Sequence, residues 1–174
     1  MKWINHLAIA GATTAVISPV LVPVALLGST APDWMESAIK ALTGQDVAHR
    51  GVTHYLTVWA AALAFTLFLW DFHSIGAAFF WGGLSHVLAD SMTVSGVPFS
   101  PNSDRRFHLF GGRLRTGESG EYLIAGGLVA VCIGLAQLSH SGNSWYPFFY
   151  NWPSLYEQGI VDGKEWKDNR FRFF

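Results

Sequence analysis

Charge is scarce in this sequence. Asp, Glu, Lys and Arg together make up 13% of the chain, while hydrophobic residues make up 51%. Ordinary soluble domains carry about twice that charged share, so the composition excludes a typical soluble enzyme and points to a polytopic membrane protein. The formal net charge of -1 leaves no basic stripe, and nucleic-acid binding is set aside as a primary activity. Cysteine is nearly absent. Cys132 stands alone in an apolar run, which excludes a disulfide framework or a zinc-thiolate cluster within one chain. A clean secretory leader is also missing. The opening MKWINHLAIAGATTAVISPVL carries Lys2 and an apolar run, but His6 and the prolines are atypical and no small-x-small cleavage site precedes the later motifs, so the segment is read as retained. Internal repeats and low-complexity tracts are not found.

What the chain has in quantity is apolar length. Four segments stand out, roughly His6 to Ser29, Val52 to Trp70, Phe72 to Met92 and Tyr122 to Leu138. Each approaches the ~20 residues that a helix needs to cross a ~30 Å hydrocarbon core. Pro19 and Pro23 interrupt the first near its middle, where each removes a helical hydrogen bond. The segment can therefore run straight across, or fold back as a re-entrant hairpin that returns His6 to the neighbourhood of Asp33. The hairpin is preferred. The expected fold is an all-α membrane bundle of three full transmembrane helices plus this proline-broken hairpin, with four transmembrane helices as the alternative. In either arrangement Lys2 aside, the motif loops with Lys40, Arg50, Arg105, Arg106, Arg113 and Arg115 share a side, which the positive-inside rule makes cytoplasmic. Residues 1–140 are read as the membrane-embedded domain. Residues 141–174, rich in Trp, Tyr and Phe punctuated by proline, are read as an interfacial tail that suits lipid headgroups or a protein partner.

Against this background the placement of ionisable residues is the informative feature, because charge kept at membrane depth is costly and is usually functional. In GGLSHVLADSMTVSGVP, His86 and Asp90 stand four apart, on one face of a helix one turn from each other. Three further pieces fall at the same membrane edge: STAPDWMES with Asp33 and Glu36, AHRGVTHY with His49 and His54, and GESGEYL with Glu118 and Glu121. Imidazoles with carboxylates and no thiolates suit Zn²⁺, Mn²⁺ or Fe²⁺. Such an ion lowers the pKa of bound water and polarises a carbonyl or phosphoryl oxygen, which is hydrolytic chemistry. Plainer roles exist for each piece. His86 and Asp90 can satisfy one another in the bundle, Asp33 can cap a helix, and Glu121 can favour a helix N-terminus. His73, His108 and His140 lie at loops or interfaces and are not read as ligands. Arg105, Arg106, Arg113 and Arg115 serve topology, yet guanidinium forks also bind phosphate, which makes a phospholipid headgroup a candidate substrate feature.

An early His, then PD, HRGVTH, and SHVLAD followed by GVP resembles the YdjM-like family of LexA-binding, inner-membrane-associated metal-dependent hydrolases, over about His6 to Glu121. The resemblance implies a multi-pass bacterial inner-membrane protein with a metal-hydrolase site. It implies His6, Asp33, His49, His54, His86 and Asp90 as metal residues, with Arg50 and Thr53 supporting. The LexA-binding part of that description has no counterpart in this composition. Family members commonly read PDxDH where this chain reads PDWME, so Met35 replaces an Asp and Glu36 a His. Met35 is a poor ligand for a hard cation, whereas Glu36 can substitute.

The expected function is a membrane-bound metal-dependent hydrolase, with Zn or Mn, acting on a lipid or lipid-linked phosphoester or ester. Glu36 and Glu121 are the candidate catalytic carboxylates, and Arg50, Arg105 and Arg106 the candidate substrate contacts. The alternative is a non-catalytic membrane subunit of an envelope, secretion or mobile-element assembly whose polar cluster holds the bundle together.

Overall fold

The computed structural model describes residues 1–139; His140 and the expected aromatic tail at 141–174 lie outside the described residues. The described residues form five α-helices: α1 (Trp3–Ile17), α2 (Val22–Thr43), α3 (Leu56–Phe68), α4 (Ile75–Ser91) and α5 (Ser119–Ser139). Between α4 and α5 lies an antiparallel pair of strands, β1 (Val97–Ser100) and β2 (Ser103–Phe107), with Val97 opposite Phe107 and Pro98 opposite Arg106. This small sheet corrects the all-α expectation. Its turn, SPNS, carries the Pro and Asn that favour chain reversal, between short runs holding Val and Phe.

The proline-broken segment folds back on itself. A 3-10 turn over Pro19–Leu21 separates α1 from α2, the two helices pack side by side, and Trp3 Nε1 donates to Asp33 Oδ2 at 2.7 Å across thirty residues of sequence. α2 then runs further than the apolar pattern suggests, through Pro32 in its interior to Gly44, which ends it at φ 70. Asp33 is therefore a mid-helix residue rather than a cap.

Among the described residues one helix, α5, is long and apolar enough to cross a membrane, over Ser119–Ala136. α3, at 13 residues, covers about 20 Å, short of a ~30 Å hydrocarbon core, and α4, at 17, covers about 26 Å, at the lower limit of spanning length. The helical character expected is present, and of the three full spans expected one is supported among the described residues. α3 is short for a local reason: Val52–His54 is drawn into a 3-10 turn, which delays the start of α3 to Leu56. At the other end Asp71 leaves the helix and accepts the backbone N–H groups of Phe72, Gly76 and Ala77, anchoring the start of α4.

The bundle is polar inside and apolar outside. His6, His54, His86, Asp90 and Glu121 are all buried, while Ile17, Phe68, Leu69, Leu123, Val131 and Leu138 are exposed. An apolar exterior of this extent needs a partner surface or lipid. The contact that sets the centre is α2 against α4, the most extensive pairing of elements. It is close because of glycine. A Cβ on Gly28 would stand 2.0 Å from the Phe79 carbonyl oxygen, and one on Gly82 2.2 Å from that of Ala25. Small residues at a membrane helix interface let backbones approach in this way. A cluster of Ala31, Trp59, Val87 and Val97 closes the core beside it.

Candidate metal centre

The close α2–α4 approach brings PDWMES against SHVLAD, and a third segment, HRGVTH, folds over both. Trp59 on α3 pins that segment by donating from Nε1 to the Thr53 carbonyl at 2.8 Å. Arg50 within it sits at φ 57, a left-handed conformation that a non-glycine residue adopts only when its surroundings hold it there.

His86 is buried and its Nδ1 lies 2.6 Å from the Ser29 carbonyl oxygen on α2. A carbonyl only accepts, so Nδ1 carries the proton and Nε2 presents its lone pair. His54, fully buried, is held in the same sense. Its Nδ1 lies 3.3 Å from Glu36 Oε1 and 3.0 Å from Thr53 Oγ1, which leaves Nε2 as the open nitrogen. Both Nε2 atoms turn towards Asp33 Oδ1, at 3.5 Å from His54 and 3.7 Å from His86. These three atoms are buried and lack a hydrogen-bond partner. They also lie within 4.8 Å of one another, in a set that could hold a metal ion.

Two imidazole lone pairs facing a carboxylate oxygen across these gaps repel unless something positive sits between them. Tetrahedral zinc, with bonds of about 2.0–2.1 Å, spaces its ligands by roughly 3.3 Å. The separations around Asp33 match that spacing, and the outer nitrogen of each imidazole is already tied to an acceptor, as metal-bound histidines require. The residues fit a divalent cation held by Asp33, His54 and His86.

The other residues singled out in the sequence fall around this centre in different ways. Asp90 is buried and closely surrounded: Arg50 Nη2 donates to Oδ1 at 2.9 Å, the Met1 ammonium donates to the same oxygen, Arg50 Nε stands 2.8 Å from Oδ2 as an ion-pair contact, and His6 Nε2 lies 3.4 Å from Oδ1. Its Oδ2 still faces His86 Nε2 at 3.7 Å and His54 Nε2 at 4.0 Å. The Arg50 guanidinium is taken up by this carboxylate and by Thr93 Oγ1 at 2.7 Å. His6 stacks on the His86 ring, with centroids 3.7 Å apart and planes 10° apart, and with His86 and Asp90 makes a second geometric set. His86 Nε2 can serve only one ion, so the two sets cannot hold separate ions at once. His49, with an exposed side chain, lies at the rim with Nδ1 3.0 Å from Glu36 Oε2.

Glu121 is elsewhere. It is fully buried at the start of α5, where it accepts from Asn5 Nδ2 at 2.5 Å, the Gly117 N–H at 2.6 Å and the Lys2 N–H. It ties α1 to α5 and is not in any of the metal-type groupings found among the described residues. Beside it the Tyr122 hydroxyl holds the Lys2 ammonium above its usual pKa. Arg106 donates to the Ser95 and Gly96 carbonyls at 2.7 and 3.0 Å, while Arg105 is exposed on β2. The roles of Ser29 and Thr53 in setting imidazole tautomers were not read from the sequence. Thr53 was at hand inside HRGVTH; Ser29 acts through its backbone, which no side-chain pattern signals.

The model of a family described as YdjM inner membrane protein matches residues 1–150. The chain belongs to this family. The match covers every residue of the centre as well as α5 and the strand pair. An inner-membrane protein accounts for the apolar exterior described above. No curated protein and no solved structure matches the chain.

Proposed function

We propose that this YdjM-family protein is a membrane-embedded metal-dependent hydrolase, acting on a phosphoester or ester of a lipid or lipid-linked substrate. The observation that carries the reading is the convergence of three buried atoms without hydrogen-bond partners, His54 Nε2, His86 Nε2 and Asp33 Oδ1, on one point. A bound Zn²⁺ or Mn²⁺ would supply Lewis acidity towards a carbonyl or phosphoryl oxygen and a more acidic bound water. Asp33, His54 and His86 would hold the ion. His49, exposed at the rim with its Nδ1 turned to Glu36, would accept or return a proton at its other ring nitrogen. Arg105, exposed on β2, meets an anionic headgroup by a forked contact. The interior site and apolar exterior suit a multi-pass protein that takes its substrate from the bilayer, with the motif side cytoplasmic.

The rival reading, a non-catalytic membrane subunit, draws on Asp90. A buried carboxylate enclosed by Arg50, His6 and the Met1 ammonium is also how a bundle is fastened. Elemental mass spectrometry on the detergent-purified protein decides first. About one equivalent of zinc or manganese, lost on His54→Ala and His86→Ala with insertion intact, is the expected result; it is followed by hydrolysis assays on lipid phosphoesters and esters. No metal in the wild type after supplementation would favour the subunit.

A further inference from the structure

Four donors surround the Glu36 carboxylate, all from residues 49–54. On Oε1 stand the Arg50 N–H at 3.1 Å, Thr53 Oγ1 at 3.3 Å and His54 Nδ1 at 3.3 Å; on Oε2 stands His49 Nδ1 at 3.0 Å. An ionised carboxylate offers about four lone-pair sites. Oε1 is fully taken by these contacts and Oε2 is engaged by His49, so although Asp33, Glu36 and His49 form a third set that could hold an ion, the carboxylate is already committed chiefly to residues 49–54. Asp33, by contrast, gives one oxygen to Trp3 and keeps the other without a hydrogen-bond partner. The two carboxylates are three residues apart on α2, near one turn, and have been given different work.

We infer that Glu36 is a positioning residue: it fixes the tautomer and ring orientation of His54, so that Nε2 faces Asp33, and holds Nδ1 of His49 beside it. This rests on the metal-site reading. The Ser29 carbonyl performs the same task for His86, so the two metal-facing imidazoles are oriented by two unrelated acceptors on one helix. Glu36→Gln removes half of the arrangement. The amide has one accepting oxygen, and its NH₂ would point a donor at a ring N–H. Either that contact is lost or a histidine moves its proton to Nε2, which abolishes the lone pair that would bind.

Cobalt(II) titration of the detergent-purified protein, followed by its visible d–d absorption, tests this with the metal alone. Loss of an orienting partner typically lowers metal affinity about 10–100-fold. Glu36→Gln is expected to bind cobalt that much more weakly yet to give the wild-type spectrum at saturation, since the ligands are unchanged. His54→Ala is expected to change the spectrum itself. Wild-type affinity in Glu36→Gln, or an altered saturated spectrum that makes Glu36 a ligand, would overturn the inference. Should Glu36→Gln fail to fold, Glu36→Asp answers by the same criteria, with a smaller loss expected because the carboxylate remains one methylene short. If the wild type takes up no cobalt, the metal-site reading fails and the inference falls with it, whereas the other two adverse results leave that reading standing.

Discussion

Gly82→Ala is the sharpest test of the way the helices build the centre. The added Cβ would meet the Ala25 carbonyl oxygen at 2.2 Å and the Ser29 nitrogen at 2.7 Å, both backbone atoms that cannot swing aside. Ordinary contact begins near 3.4 Å, so α2 and α4 must part by about 1.2 Å along that line. Overpacking of this kind costs about 1–3 kcal/mol. For a chain of this size that is a fall in melting temperature of roughly 2–4 °C per kcal/mol. The second consequence is local. Gly82 lies one turn before His86, and the same displacement would stretch the 2.6 Å contact from His86 Nδ1 to Ser29 beyond hydrogen-bonding range. The imidazole then loses the acceptor that fixes its tautomer, and metal affinity should fall about 10–100-fold. Thermal unfolding in detergent and a zinc titration against a competing chelator measure the two effects on one preparation. A variant with unchanged melting temperature and unchanged affinity would refute the argument that glycine contact positions the centre.

Asp33→Asn is expected to remove the bound metal with little loss of fold, because the amide keeps the contact to Trp3; elemental analysis and a melting curve check both halves. Asp90→Ala should act the other way round. It leaves the buried Arg50 guanidinium without its counter-charge, and breaking such a pair costs about 3–5 kcal/mol, so the expected result is a destabilised protein rather than a stable, metal-free one. Glu121→Ala should leave metal stoichiometry unchanged while hydrogen exchange rises at the first turn of α1 and around Gly117, since three donors lose their acceptor. Loss of metal in that variant would return Glu121 to the centre.

How much of this was legible in the sequence depends on the range of the interaction. The His86/Asp90 spacing is a helix property, and α4 places both on one buried face, their facing atoms 3.7 Å apart. The proline pair announced a break in the first apolar segment, and the structure shows a fold-back whose direction is set by packing of α1 on α2. Composition and motif placed Asp33, His54 and His86 at one membrane edge but could not say which atom of each would face the others. That choice is made by Ser29, Glu36 and Thr53 through tautomers, which a pattern of residue types does not encode. The grouping of Glu121 with the metal residues came from the same edge rule, which does not distinguish neighbouring helices. The lengths expected for the helices erred because apolar runs continue through the turns at Val52–His54 and before Asp71, where hydrogen bonding rather than hydropathy ends a helix.

The two readings of the cluster divide along the two aspartates. Asp90 is fully engaged, and each of its partners, Arg50, His6 and the Met1 ammonium, links α4 to another part of the chain. Such a group holds a structure together whether or not the protein catalyses anything. Asp33 has the opposite character. One oxygen is satisfied by Trp3 and the other is buried against two lone pairs, an arrangement that costs free energy in a bundle built only for stability. Natural cores remove such groups unless something occupies the gap. The unsatisfied corner made by Asp33, His54 and His86, rather than the number of charged residues in the bundle, is therefore what favours a cation and hydrolytic chemistry over a purely structural role.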